Sequence, residues 1–310
     1  MNDATRPGAN GGAQPDFGWG IAPAGHRLPA DTRLGPVQLQ VADLERSLRY
    51  YQQVIGLRLL EKDGSGATLG AEDQRPLVVL KERPGSTPVP PRGRLGLYHF
   101  AILLPTREDL GRFLRHVGDL RQRIGASDHL VSEAVYLHDP DGLGIEVYAD
   151  RPRSAWRAEG RELRMSTEPL RAHELLASAG DLPWAGLPDG TVIGHVHLHV
   201  GDLGSASSFY HDALGFDKVV WSYPGALFLS AGGYHHHLGV NTWAASERAA
   251  GEGDARLLEW TVELPRTEQV EATAESLVRA GYPVERPAPG EVVTRDPWGT
   301  LVRVRRGGAA

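Results

Sequence analysis

A duplication governs what this chain can fold into. Residues 34–57, LGPVQLQVADLERSLRYYQQVIGL, lie over residues 193–216, IGHVHLHVGDLGSASSFYHDALGF, at a constant offset of 159 residues. Asp43 falls on Asp202, Leu44 on Leu203, Tyr51 on Tyr210 and Gly56 on Gly215. A weaker pair runs from LYHFAILLP (97–105) onto LLEWTVELP (257–265), and from DPDGLGIEVY (139–148) onto DPWGTLVRVR (296–305). Self-similarity at a fixed period means that one supersecondary unit has been copied, so the fold is an assembly of copies.

Each copy has the same grammar. Residues 36–41 and 195–200 alternate between apolar and polar, the period of a strand with two different faces. Asp43 and Asp202 stand at N-cap positions, and Leu44, Leu48, Tyr51 and Ile55 then recur at helical spacing. Gly56 and Gly215 end those helices as C′ glycines do. Further β-rich runs follow, such as PLVVLKE (76–82) and ALFLSAGG (226–233). The order β-α-β-β-β occurs four times, starting near residues 34, 97, 193 and 257. Between the second and third modules, residues 151–190 form a connector, in which a helix is expected to begin at Ser166 or Thr167 with Pro169 in its first turn.

Composition narrows the chemistry. A chain of 310 residues with 41% hydrophobic content can bury a substantial core and suggests about two domains. Its net charge of −6, without a Lys/Arg block, argues against a nucleic-acid partner. It has no cysteine, so a transition metal would have to be held by His and carboxylate; a cytoplasmic location is the expectation. Residues 1–33, rich in Gly, Ala, Pro and Asn near their start, read as a flexible tail and not a signal peptide. No run of eighteen apolar residues is present to span a membrane. A homodimer is the general expectation for a soluble enzyme.

Four such modules, with an Asp-Leu helix start and a DP-x-G turn, resemble the vicinal oxygen chelate superfamily, which includes glyoxalase I, fosfomycin-resistance proteins and extradiol dioxygenases. The resemblance covers about residues 34–306. It implies an α+β fold in which βαβββ modules form two domains, 34–150 and 191–306, whose mixed sheets curl into cups. It also implies a divalent metal held by residues of first and last module strands, and His99, Glu146 and His195 fall on those positions. Two imidazoles and a carboxylate with open positions suit Fe(II). His197 and His199 share a face with His195, so either is an alternative ligand and both are candidates for the pocket.

The duplication supplies its own control. Pro36 stands where the third module has His195, and Glu259 and Arg303 stand where the second has His99 and Glu146. Proline offers no ligand and arginine is a permanent cation. One metal site is implied, with residues from modules two and three, and therefore a crossed pairing of two with three and one with four.

The stretch SDHLVSEAVYLHDPDGLGIE resembles the extradiol dioxygenase signature. His129 is followed by five residues, Val135-Tyr136, two residues, the turn Asp139-Pro140-Asp141-Gly142, three residues and Glu146. Ser127 departs from the signature's preferred residues. The resemblance implies Glu146 as ligand, Tyr136 as a substrate-contacting phenol and His129 as a pocket imidazole. A third run, SAGGYHHHLGVNTW (230–243), places His235 and His237 on one face if it is a strand, as candidates for the same pocket, with Tyr234 and Trp243 as ring walls. With GLYHFAILLP and GHVHLHVGDL it is similar to a two-domain subfamily of catechol 2,3-dioxygenase or glyoxalase-like proteins. The implied reaction is Fe(II)-dependent opening of a catechol or substituted catechol or hydroquinone with O2. A glyoxalase-type lyase or isomerase using Zn(II), Ni(II) or Mn(II), with Gln38 and Gln40 in the metal-poor cup, and a non-catalytic small-molecule-binding protein are the alternatives.

Overall fold

The computed structural model describes residues 17–308. Module one opens with β1 (Arg33–Val41), which buries Val37, Leu39 and Val41. Asp43 caps α1 (Leu44–Tyr50) by accepting from the Arg46 amide; the helix widens to a π-turn over Tyr51–Ile55 and ends at Gly56, whose φ of 88° suits glycine. β2 (Arg58–Asp63), β3 (Gly66–Gly70) and β4 (Pro76–Glu82) complete it. Module two is β5 (Gly96–Leu103), α2 (Arg107–Asp119), β6 (Gly125–Asp128), β7 (Ser132–His138) and β8 (Gly144–Asp150).

The connector holds a small ribbon, β9 (Ala158–Glu159) and β10 (Glu162–Leu163), then β11 (Glu168–Pro169) and α3 (Ala172–Ser178). Module three repeats module one as β12 (Val192–His199), α4 (Leu203–Ala206) with its own π-turn over Ser207–Ala213, β13 (Asp217–Val220), β14 (Ala226–Ser230) and β15 (Leu238–Asn241). Asp202 caps α4 through the Ser205 amide, as Asp43 does in the first copy. Module four is β16 (Arg256–Leu264), α5 (Thr267–Arg279), β17 (Glu285–Ala288), β18 (Glu291–Arg295) and β19 (Leu301–Arg306).

The sheets form crosswise. Modules two and three share a nine-stranded sheet in the order β11-β6-β7-β8-β5-β12-β15-β14-β13, and modules four and one an eight-stranded sheet in the order β17-β18-β19-β16-β1-β4-β3-β2. The segments 34–150 and 191–306 are thus not the two cups: each contributes one module to each sheet. At the seams β5 runs antiparallel to β12, and β16 antiparallel to β1. Helices nevertheless dock in chain order. The Tyr51 hydroxyl donates to Asp139 Oδ2 (3.2 Å), and in the second copy Tyr210 donates to Asp296 Oδ2 (2.7 Å). Each aspartate also accepts two backbone amides of its own turn, so that one buried carboxylate ties a turn to the preceding module's helix.

Two expectations are corrected. Residues 17–32, read as part of a flexible tail, are packed: Leu28 is buried, Ile21 pairs with Lys218, and Arg27 makes a two-pronged bridge to Asp217 (2.7 and 2.6 Å). A few apolar anchors overcome a Gly/Pro-rich composition; residues 1–16 of that expected tail lie outside the described residues. The connector helix does not begin at Ser166 or Thr167. Glu168–Pro169 is an edge strand against Asp128 and Ser127, a place where proline's missing N–H costs nothing, and α3 starts at Ala172. Among the described residues no helix is long and apolar enough to cross a membrane.

Candidate metal centre

The seam between β5 and β12 carries two β-bulges. Ile193 faces Ile102 and His195 faces Ala101, which leaves Gly194 as an extra residue on β12; His197 faces His99 and Leu198 faces Leu97, which leaves Tyr98 extra on β5. Bulges turn the side chains next to them, and each of these directly precedes a histidine. Gly194 has a steric reason to be glycine: a Cβ there would lie 1.9 Å from the Tyr148 hydroxyl.

Ala101 lies between Glu146 on β8 and His195 on β12, and His99 precedes it on the same face. Above this small residue three side chains meet. His99 Nε2 is 3.0 Å and His195 Nε2 3.1 Å from Glu146 Oε2, and ligand atoms of all three lie within 4.8 Å of one another. All are buried. His99 Nε2 makes no properly directed hydrogen bond despite its closeness to the carboxylate, so it points at a common centre and not along an N–H···O line. That donor set fits a divalent cation with positions left open.

The electrostatics fit as well. Burial disfavours charge on Glu146, but His195 and His99 outweigh it and hold the carboxyl well below its ordinary range. Burial pushes His195 down to about 4 against the opposing pull of Glu146, and burial followed by neighbouring histidines holds His197 and His236 well below theirs. An ionised carboxylate and neutral imidazoles are the forms in which these groups ligate metals.

The cluster forms one wall of a cavity of about 550 Å³. Tyr136, paired with Glu146 across β7 and β8, lines it, and its hydroxyl lies 2.6 Å from His129 Nε2. His129 Nδ1 lies 2.8 Å from the Ser166 carbonyl, which only an N–H can satisfy. With Nδ1 donating to that carbonyl, Nε2 of this tautomer is the acceptor for the Tyr136 hydroxyl. Burial first, then the Glu146 charge, keeps the Tyr136 phenol protonated, well above its usual range. Met165, Ser166 and Thr167 bring the connector over the cavity.

The remaining expected residues divide. His197 lines the cavity, but its Nε2 accepts from Asn241 Nδ2 (3.0 Å) and it stands outside the three-residue cluster. His199 donates through Nδ1 to Asn241 Oδ1 (2.7 Å) and faces a neighbouring chamber. His235 and His237 do not reach the cavity. His235 Nε2 bonds Asp150 Oδ1 (2.8 Å), and His237 Nδ1 sits on Ser230 Oγ (3.0 Å). The middle residue, His236, lines the cavity instead, its ring 4.0 Å from that of His195. Strand alternation misassigns the run because Gly232 and Gly233, with φ of 61° and 63°, form a turn and β15 begins only at Leu238. The Gly-Gly pair is the signal that could have shown this. Tyr98, which lines the cavity, and Asn241, which bonds both His197 and His199, carry no sequence signal, since neither residue type, met alone in a strand, marks a site.

The second cup holds an ion pair at the matching place. Arg303 makes a two-pronged bridge to Glu259 (2.6 and 2.6 Å) and also contacts Glu291. Gln40 spends its amide on the Glu252 and Asp254 carbonyls (2.6 and 2.7 Å). Among the described residues, only His99, Glu146 and His195 form a metal-ligating group.

Comparison with known proteins agrees with this architecture. The family model described as the Glyoxalase/Bleomycin resistance protein/Dioxygenase superfamily matches residues 33–147 and 192–304. A catechol-2,3-dioxygenase of Bacillus subtilis (strain 168) is 47% identical over 260 residues, 82% of this chain and 90% of that protein. Among solved structures, a candidate dioxygenase from Bacillus subtilis subsp. subtilis str. 168 superposes with a TM-score of 0.63 at 14% identity, covering 92% of this chain and 87% of the other. Glyoxalase I from Zea mays superposes with a TM-score of 0.55 at 20% identity, covering 89% and 92%. These two likenesses concern the fold alone.

Proposed function

We propose that this chain, which belongs to the Glyoxalase/Bleomycin resistance protein/Dioxygenase superfamily, is an extradiol dioxygenase that opens the ring of a catechol, or of a substituted catechol or hydroquinone, with O2. The observation that carries the reading is the meeting of His99, Glu146 and His195 in a buried cavity beside the Tyr136–His129 pair. The relative named catechol-2,3-dioxygenase supports it over most of both chains. The cofactor is Fe(II), held by His99, Glu146 and His195; the enzyme acts in the cytoplasm.

Bound there, Fe(II) would supply the means to bring catecholate and O2 together and to let electrons pass from ring to oxygen. The chain's own groups do the rest. The Ser166 carbonyl fixes the His129 tautomer, so Tyr136 directs its proton to His129 and turns a hydroxyl lone pair toward the cavity. A substrate hydroxyl placed there donates to Tyr136, and the pair offers that proton a path to His129. His236, neutral and packed at a tilt against His195, is a second imidazole facing the same space. Phe228, Tyr98 and Trp243 provide apolar walls for a planar ring.

Oxygen uptake after anaerobic Fe(II) loading tests the reading directly. Consumption of one O2 per catechol, with a yellow ring-opened product, is expected. No uptake across a panel of catechols and hydroquinones, from protein shown to carry iron, rules it out.

A further inference from the structure

His237 turns away from the metal cavity and faces a different one. A hollow of about 390 Å³ lies where the two sheets meet, between the start of β1, the end of β5 and the start of β12. It shares no lining residue with the metal cavity. The His237 imidazole is buried and forms part of its wall. The Ala231 amide donates to Nδ1 of that ring (3.2 Å), so the ring proton sits on Nε2, where the described residues offer it no acceptor.

Three guanidiniums join that donor, each from a different segment. Arg33 opens β1, Arg75 precedes β4, and Arg153 follows β8 in the connector. Among the described residues neither Arg33 nor Arg153 has an ion pair, and Arg75 has only a long one, 4.0 Å to Asp73. Glu263, opposite Arg33 across the β1–β16 seam, is taken by Arg305 (2.7 Å). Arg153 is held by aromatic faces, its guanidinium 5.5 Å from the Phe17 ring centre and 5.3 Å from that of Trp156, with one N–H on the Gly232 carbonyl (3.3 Å). Asp31 is the one acid on the wall, so the hollow keeps a positive excess in a chain whose net charge is −6. Like charges gathered around a cavity repel, and an anion between them removes that cost. Leu34, Leu103 and Ile193 supply an apolar floor.

We infer that this hollow binds a small organic anion, its carboxylate taken by the arginines and the His237 Nε2–H, its short apolar body laid on Leu34, Leu103 and Ile193. A guanidinium fork matches the two oxygens of a carboxylate, and a space of this size is at the small end of ligand pockets. Neither the metal nor the proposed ring cleavage enters the site, which is therefore tested apart from them.

Titration calorimetry of the full chain decides, with benzoate as the probe and inorganic phosphate as the comparison that carries charge alone, at about 0.15 M salt so that distant surface charges are screened. Benzoate is expected to bind at one site, at least about tenfold more tightly than phosphate, because only benzoate covers the apolar floor. Arg33→Glu, at an exposed position without a side-chain bond, is expected to weaken benzoate by at least about tenfold, the scale of a lost hydrogen bond to a charged group. Arg306→Glu makes the same change of charge on the exposed surface just outside the hollow and is expected to weaken it by less than about threefold. No benzoate binding at millimolar concentration, binding untouched by Arg33→Glu, or equal losses from the two variants overturns the site. Phosphate bound as tightly as benzoate overturns the assignment to an organic anion.

Discussion

His236 packs against His195 with ring centroids 4.0 Å apart and the planes tilted by 43°, while His235 and His237 turn to Asp150 and Ser230. The three consecutive imidazoles thus have different environments, and only the middle one faces the cavity. Replacing His236 with Gln is expected to lower kcat by roughly 10²-fold or more, the scale of a lost acid–base group. His237→Gln, on the far side of the turn, is expected to change kcat by less than about threefold, because proton transfer in the reaction needs a group within reach of substrate. Steady-state oxygen uptake by the two variants decides the matter; a larger kcat effect from position 237 would contradict the placement.

Glu146 is the one carboxylate of the cluster, and both imidazoles approach the same oxygen of it. Glu146→Gln keeps the shape and removes the charge. Because a bound ligand stabilises by about 2.7 kcal/mol at a hundred times its Kd, anaerobic Fe(II) or Mn(II) should raise the melting temperature of the parent protein by several degrees. The same metal should leave Glu146→Gln unmoved. Calorimetry with and without metal reads this independently of turnover.

The Arg303–Glu259 bridge occupies in one cup the place that the histidine–glutamate cluster occupies in the other. Glu259→Gln breaks the two-pronged bond but leaves Arg303 a partner in Glu291. The expected cost is about 1–3 kcal/mol in urea unfolding. Metal content should stay at one ion per chain. A second equivalent bound by the parent protein would mean that the ion pair does not exclude metal.

Much of this was legible in the sequence because duplication allows a chain to be compared with itself. Pro36 against His195 and Arg303 against Glu146 already point to one site, and one site fed by modules two and three requires the crossed sheets. What escaped was local backbone geometry. Alternation treats a strand as unbroken, so it does not show that Tyr98 and Gly194 are bulged or that Gly232 and Gly233 rotate the histidine run. Pro169 misled for a related reason, since a proline that can open a helix can also end a strand at a sheet edge.

Asp139 supplies a prediction about pH. It is buried, accepts the amides of Asp141 and Leu143, and takes the Tyr51 proton at 3.2 Å. Burial, partly offset by those amides, pushes its pKa up from 3.8 to about 7. The folded protein therefore binds a proton that the unfolded chain gives up at lower pH. Its stabilising contribution is full below the unfolded pKa and is lost as pH rises through about 7. The change amounts to at most on the order of 4 kcal/mol between those limits. Asp139→Asn keeps an amide-accepting oxygen and cannot titrate, so it should flatten the loss of stability between about pH 5 and 8. Chemical unfolding of both proteins across that range is the measurement. Identical pH slopes would show that Asp139 is ionised throughout, held by its two amides and Tyr51 against the cost of burial.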